Sequence, residues 1–440
     1  MGANRFEDPC DSSLVEIWLP YGNTETFVSV NDENLLGILQ PQEQNGLERP
    51  QEELESALEN PLASELFSRI TVQGKKVVLL VELTNPSSKN LIGLSRLLEK
   101  LKEKGVSSQD IKILLTTETG EAVRAEEERA DLWQNTFREY SVIAHESSSS
   151  ECVEVGKTSK GMKVFLNKSF VEADFRIVFS DVSLHRFFGY RGGCSAILPG
   201  IAGTDTVKHN HAMLTNSNAR MGIIEGNPVY EGMEEASKLA KIDFGLCILP
   251  NVTGDLVKAY AGDLTEIFRV ASRDYGEMCK ASFRHKGEIV IASAGGSPYD
   301  MDLHHASACL EAALRVVKDE GSIILVGECP KGHGNKVFYE WTKNFKEVKD
   351  VESEIKKRYV LGGESAYYLL KARERAKIYL VSVMPDYYAS NIFKLRTSRT
   401  TNSALQSAQR TLGKDSKITV LPYAQMTLPV HEERPASDRT

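Results

Sequence analysis

Three histidines, two arginines and a run of glycines stand close together in residues 183–214, SLHRFFGYRGGCSAILPGIAGTDTVKHNHAML. A neutral imidazole is both a transition-metal ligand and a proton carrier near neutral pH. His185, His209 and His211 are therefore the side chains here best suited to chemistry. Around them Gly189, Gly192, Gly193, Gly200, Gly203 and Pro199 alternate with apolar residues. Such a backbone turns sharply or lets something approach closely, and a phosphate or a flat cofactor is the usual occupant. The residue types point to a cofactor or metal site on loops between buried strands. A zinc hydrolase built on His209 and His211 is weaker, because no third ligand stands at metal-binding spacing. His209 is left open between a second ligand, should the segment be extended, and a surface residue.

Loops of this kind need strands to carry them. Residues 175–180 form an apolar run that delivers the stretch, and residues 76–81 form another, the pattern of strands buried on both faces. Leu91, Leu94, Leu97, Leu98 and Leu101 recur at helical spacing ahead of a further strand at 111–116, which makes a βαβ unit. Ligands of such units sit at the carboxyl ends of strands. Short strands are expected from 11 to 42, and helices at 48–70, 234–241 and 256–273. Later strands are expected at 288–292, 322–326, 377–383 and 417–420. The four serines at 147–150 mark a flexible loop. Gly156-Lys157-Thr158-Ser159 looks like the end of a phosphate-binding P-loop, but Glu151 stands where its first glycine is required, so that reading is rejected. The expected fold class is α/β: two α/β domains with mostly parallel sheets, 1–275 and 276–440, and an active-site cleft between them.

Composition narrows the function classes. A chain of 440 residues exceeds what one hydrophobic core usually serves. No apolar run approaches the ~18 residues that span a bilayer, and the start lacks both a secretory pattern and a complete myristoylation signal. A soluble, cytoplasmic protein is expected, with no membrane partner. A net charge of -8 without a basic cluster argues against nucleic acid. Seven cysteines without a C-x-x-C pair suggest reduced thiols.

The central stretch resembles the lactate racemase (LarA-type) family of nickel-pincer hydroxyacid racemases and epimerases. The family pattern is a His, G-[YF]-S-G-G-x-K, P-G-[IV]-A-G, a Thr and a closing N-H. His185, Gly189-Tyr190-Arg191-Gly192-Gly193-Cys194-Ser195, Pro199-Gly200-Ile201-Ala202-Gly203, Thr206 and Asn210-His211 follow it in order and at matching spacing. Leu19-Pro20-Tyr21-Gly22, Glu82-Leu83-Thr84-Asn85-Pro86 and Ser293-Ala294-Gly295-Gly296-Ser297-Pro298-Tyr299-Asp300 extend the likeness over most of the chain.

The resemblance implies a nickel-pincer nucleotide, a pyridinium mononucleotide whose two sulfur-bearing arms clasp nickel through S, C and S. One protein histidine completes the square plane, and His211 matches it; soft donors with an imidazole suit planar Ni(II). It further implies cofactor contacts at Glu82, Thr84, Asn85, Gly192, Gly193, Cys194, Ser195, Pro199, Gly200, Gly295, Gly296 and Asp300, and a dependence on cofactor-synthesising enzymes. Family members tether the cofactor through a Lys where this chain has Ser195, so a non-covalent cofactor is expected. The implied reaction removes a hydroxyl proton with a His while the carbon-bound hydride moves to the pyridinium, then returns both to the other face. His185 matches one base. Gly120 stands in place of the other, so His304 and His305, where the family carries Tyr-Gln beside the substrate, are candidates, with Glu121 behind them. The family's substrate-binding cations are Asn85 and Ala308 here. Arg191, next to Tyr190, is expected to grip the carboxylate instead. A 2-hydroxy acid other than lactate follows, and a non-catalytic carrier of the nucleotide is the alternative.

Overall fold

The computed structural model describes residues 13–84, 91–116, 133 and 137–432. Its contacts divide the chain into two units: Pro41–Lys280 with Asn344–Tyr367, and the remainder. The sequence suggested a single crossing near residue 275. The chain instead crosses near residues 40, 280, 343 and 367. No described helix is long and apolar enough to cross a membrane.

The first unit is built on a six-stranded sheet in the order Leu256–Gly262, Phe244–Pro250, Phe175–Asp181, Val77–Glu82, Ile111–Leu115 and Ser141–Ala144. All neighbours are parallel except the first pair, an antiparallel edge. Every residue of Val77–Glu82 is buried, in keeping with the apolar run that precedes Glu82. The helix Leu91–Glu103 lays Leu94, Leu97, Leu98 and Leu101 into the same core. The chain places Val77–Glu82 first and moves outward through two strands. It then returns to set Phe175–Asp181 on the other side. That reversal is the topological switch point, and ligands of open α/β sheets bind beyond the carboxyl ends of the strands flanking it. Those ends are Glu82 and Asp181.

Two expected helices differ. The helix anticipated at 48–70 is Pro50–Glu59, followed by a single turn at Phe67–Arg69. Pro61 lacks an amide and disfavours helical geometry at Asn60, so the helix stops there. The helix anticipated at 256–273 is a strand, Leu256–Gly262, then a helix, Leu264–Cys279. The Asp263 side chain accepts from the amides of Thr265 and Glu266 and starts the helix late.

The second unit carries an all-parallel sheet in the order Arg396–Ser398, Ala376–Val381, Val317–Val326, Gly287–Ser293, Ile418–Leu421 and Leu35–Ile38. Its edge strand comes from the start of the chain, which is why the N-terminal forty residues belong here. Ile17, Leu19, Val28 and Val30 of the hairpin Leu14–Tyr21/Thr24–Asn31 join its core. The switch point lies between Gly287–Ser293 and Ile418–Leu421, and the loop beginning at Ala294 leaves from it. The α/β class with mostly parallel sheets is as expected.

Candidate active site

At the switch point of the first unit two carboxylates are buried side by side. Glu82 and Asp181 are only 2% and 1% exposed. Asp181 accepts from the Thr84 amide at 2.9 and 3.0 Å and from the Thr84 hydroxyl at 3.1 Å. Burial pushes its carboxyl up to about 6 and Glu82 adds to the rise, while the Thr84 bonds and the Arg191 charge oppose it. Glu82 takes the Arg191 guanidinium, Nε to Oε1 at 3.1 Å, and the Ser195 hydroxyl on Oε2 at 2.6 Å. Ser195, fully buried, accepts in turn from the Gly192 amide at 2.7 Å. Two buried carboxylates thus lie beside the Arg191 guanidinium.

Beyond Asp181 the chain makes a tight hairpin, Ser183–His185 against Gly189–Arg191. Alternation sends neighbouring side chains to opposite faces. Arg191 reaches Glu82, whereas Tyr190 is buried, its hydroxyl beside Gly276 of Leu264–Cys279. His185 lies flat on the Phe188 ring, 3.7 Å between centroids, and its Nδ1 accepts from the Phe188 amide at 3.1 Å. His211 ends the helix Thr204–His211 and is 3% exposed. The rings of Phe187, Phe188 and Tyr359 stand edge-on around it at 5.3, 5.1 and 4.9 Å. Phe188 therefore touches both imidazoles, and His185 and His211 occupy one aromatic box. Arg186, next to His185 in the turn of the hairpin, donates to Glu364 at 3.1 Å and to Ser365 at 2.9 Å. Burial raises the Glu364 carboxyl, against the Arg186 charge.

The loop Pro199–Gly203 is held from behind by His145. That ring donates Nε2–H to the Ala202 carbonyl at 3.1 Å and accepts from Asn167 Nδ2 at 3.1 Å. Burial lowers its pKa to about 4, so it is neutral at physiological pH.

Several expectations gain a physical account and some change. The glycines were expected to clear room for a ligand. Side chains at Gly192 and Gly193 would instead strike the Asp181 carbonyl and the Phe268 ring, so close chain packing already demands glycine there. Their amides are also engaged, on the Ser195 and Ser180 hydroxyls. The Gly200 amide bonds the Ser195 carbonyl at 2.9 Å, directly after Pro199. Cys194 is fully buried and burial pushes its thiol up to about 11, so it offers no thiolate at neutral pH. His209 shares no face with His211, because the segment is a helix and two residues turn it by roughly 200°; it is exposed. Among the described residues no group of three or more His, Cys, Asp or Glu side chains could hold a metal ion.

In the second unit Asp300 is fully buried and its Oδ2 accepts from the amides of Gly22 at 2.7 Å and Glu328 at 2.9 Å. Gly295 and Gly296 have φ of +111° and +75°. His304 and His305 lie in the short helix Leu303–Ala306, capped by Asp302, which accepts His305 Nδ1 at 2.7 Å. Ala308 follows in the next turn. Asn85, Gly120 and Glu121 lie outside the described residues.

Sequence reasoning missed Asp181, Arg186, Tyr359 and Glu364. Asp181 left one signal, an acidic residue closing an apolar strand run. The other three left none, since Tyr359 and Glu364 reach this unit from the segment 344–367.

Comparisons with known proteins give the chain's family and fold. The model for the lactate racemase N-terminal domain matches residues 21–222, and that for the lactate racemase C-terminal domain matches residues 283–425. A lactate racemase of Thermoanaerobacterium thermosaccharolyticum is 29% identical over 93% of this chain and 98% of its own length. One of Lactiplantibacillus plantarum is 25% identical over the same shares. The solved lactate racemase apoprotein from T. thermosaccharolyticum superposes with a TM-score of 0.85 at 27% identity, covering 94% of this chain and all of that one. A Thermotoga maritima protein, 16% identical with a TM-score of 0.65, shares the fold. With both family domains present in order over most of its length, the chain belongs to the lactate racemase family and is an isomerase.

Proposed function

We propose that the protein racemises or epimerises a 2-hydroxy acid with a non-covalently held nickel-pincer nucleotide. The observations that carry this are His211 in its aromatic box and, in the same unit, the buried acid pair at the switch point. His211 offers one imidazole in an aromatic box, and a metal bound there takes its other donors from elsewhere, as a pincer provides. Glu82 and Asp181, beside Arg191, suit the positive charge of a pyridinium. The donor set and the charge therefore fit the cofactor. When bound, it supplies a pyridinium carbon that takes the hydrogen of the substrate carbon with its electron pair and gives it back.

This chain's residues do the rest. His211 ligates the metal. His185, across the shared Phe188, handles the substrate hydroxyl proton. Arg191, held through Nε by Glu82, grips the substrate carboxylate. The rings of Phe187, Phe188 and Tyr359 keep water from the reacting atoms, which strengthens each charge interaction there. His304 and His305 are assigned the second proton transfer on the resemblance alone, and Asp300, Gly295 and Gly296 a cofactor contact on the same ground. The protein is assigned to the cytoplasm.

Ser195 favours a second reading, a carrier of the nucleotide without turnover. Its hydroxyl is committed to Glu82 and has no amine to form a thioamide. Two measurements on protein coexpressed with the cofactor-making enzymes test the shared non-covalent binding and then separate the readings. Mass spectrometry of the denatured protein should give the bare chain mass even when the native protein is nickel-loaded and coloured; an adduct contradicts non-covalent binding. A panel of single-enantiomer 2-hydroxy acids should then yield at least one racemised or epimerised product. A loaded protein that turns over none is a carrier.

A further inference from the structure

The two imidazoles of the aromatic box meet different partners at Nδ1: the Asn210 side chain at His211 and the Phe188 backbone amide at His185. Asn210 is fully buried and donates Nδ2 to the Val229 carbonyl at 2.9 Å. A flipped amide would set two oxygens against each other, so the orientation is fixed. Its Oδ1 therefore faces His211 Nδ1 at 3.1 Å as an acceptor, and Nδ1 must carry the hydrogen. Gly232 contributes from the next helix, since a Cβ there would strike Asn210 Nδ2. A neutral imidazole has one N–H, so the His211 lone pair is at Nε2. At His185 the donor is the Phe188 backbone amide, which has only a hydrogen to give. His185 Nδ1 is therefore the acceptor and its hydrogen is on Nε2.

We infer that the fold holds His211 and His185 in opposite tautomers, with Asn210 as the positioning residue that reserves His211 Nε2 for a metal. The metal part rests on the proposed function; the tautomers do not. Histidine ligands generally depend on such a partner for ring orientation and basicity, and losing it costs about 10- to 100-fold in metal affinity. The inference also changes the part assigned to His185. With its hydrogen on Nε2 it is in the form that donates to an oxygen and not the form that accepts a proton there. To accept the hydroxyl proton at Nε2 it must first move its own hydrogen to Nδ1, and the bond from Phe188 must break.

The test is nitrogen-15 NMR of the full chain, without cofactor and labelled on histidine, at about pH 8.5, well above the ordinary imidazole pKa of about 6.5. Single His211→Gln and His185→Gln variants assign the signals. The expected spectrum has His211 protonated on Nδ1 and His185 on Nε2. Asn210→Asp keeps an acceptor and should keep the His211 tautomer. Asn210→Ala should mix the two forms and lower nickel loading about 10- to 100-fold after coexpression. Wild-type His211 protonated on Nε2, or both rings in the same tautomer, overturns the inference, and so does an unchanged His211 in Asn210→Ala. Should Asn210→Ala fail to fold, the wild-type and Asn210→Asp spectra still decide. Opposite tautomers in a protein that takes up no nickel would refute the proposed function and leave the tautomer assignment standing.

Discussion

Each unit ends its parallel sheet at a switch point with a buried carboxylate, yet the two ends are finished differently. In the first unit Glu82 and Asp181 are held by side chains, Arg191, Ser195 and Thr84, with backbone help from the Thr84 amide. In the second, Asp300 binds two backbone amides through Oδ2, while its buried Oδ1 has no hydrogen-bond partner among the described residues. The first gathers charge and the second knits loops: Asp300 joins the turn at Gly22 to the stretch after Val317–Val326. The same topology thus yields one end that gathers charged side chains and one that binds backbone amides.

Substitutions at both ends test that contrast. Glu82→Ala leaves Arg191 and Ser195 without their shared acceptor in a buried setting, and a cost of about 3–5 kcal/mol in urea unfolding is expected. A loss under ~1 kcal/mol would show that the acid network does not bind the first unit together.

The pH dependence sharpens the picture through two residues of opposite sign. Asp181 titrates in the fold at about 6 against an ordinary 3.8, so its protonated form is the stable one. Its contribution is full below pH 4 and is lost as pH rises through about 6. His145 titrates at about 4 against 6.5, so its neutral form is the stable one. Its contribution is full above pH 6.5 and is lost as pH falls toward 4. Each amounts to about 3 kcal/mol at most, and over the shared window they oppose each other. Asp181→Asn should therefore give stability that rises with pH between 4 and 6.5, and His145→Gln stability that falls, whether followed by heat or by urea. Parallel slopes in the two variants would contradict the electrostatic account. With the nucleotide bound, Asp181→Asn should also weaken its retention, since a negative charge has been removed.

Asp300→Asn is the mildest change, because the carbonyl oxygen of Asn still accepts from both amides. About 1–3 kcal/mol is expected. A loss as large as that of Glu82→Ala would mean that the second sheet end also relies on charge.

Much of this fold could be read from the chain. Val77–Glu82, Phe175–Asp181 and Gly287–Ser293 declare themselves as apolar runs, and Leu91–Glu103 by its leucine spacing. Contacts between distant parts of the chain could not be read. Leu35–Ile38 pairs with Ile418–Leu421 across nearly the whole sequence, so nothing local announces that the chain's start belongs to the second unit. Thr204–His211 has no apolar period to mark it as a helix, and that one fact decides that His209 and His211 point apart. Arg186 and Glu364 are polar residues whose partnership lies 178 positions off. The residue types of the site were legible; which nitrogen, which face and which partner each would use depended on packing.

The most direct test of the whole account compares His211→Ala with His185→Ala, both loaded by coexpression, in nickel content, visible absorbance and rate. His211→Ala removes the one protein donor assigned to the metal, so nickel, colour and activity should disappear together. His185→Ala should stay nickel-loaded and coloured while turnover falls about 100- to 10,000-fold. If His185→Ala loses nickel while His211→Ala keeps it, the roles assigned to the two imidazoles are wrong.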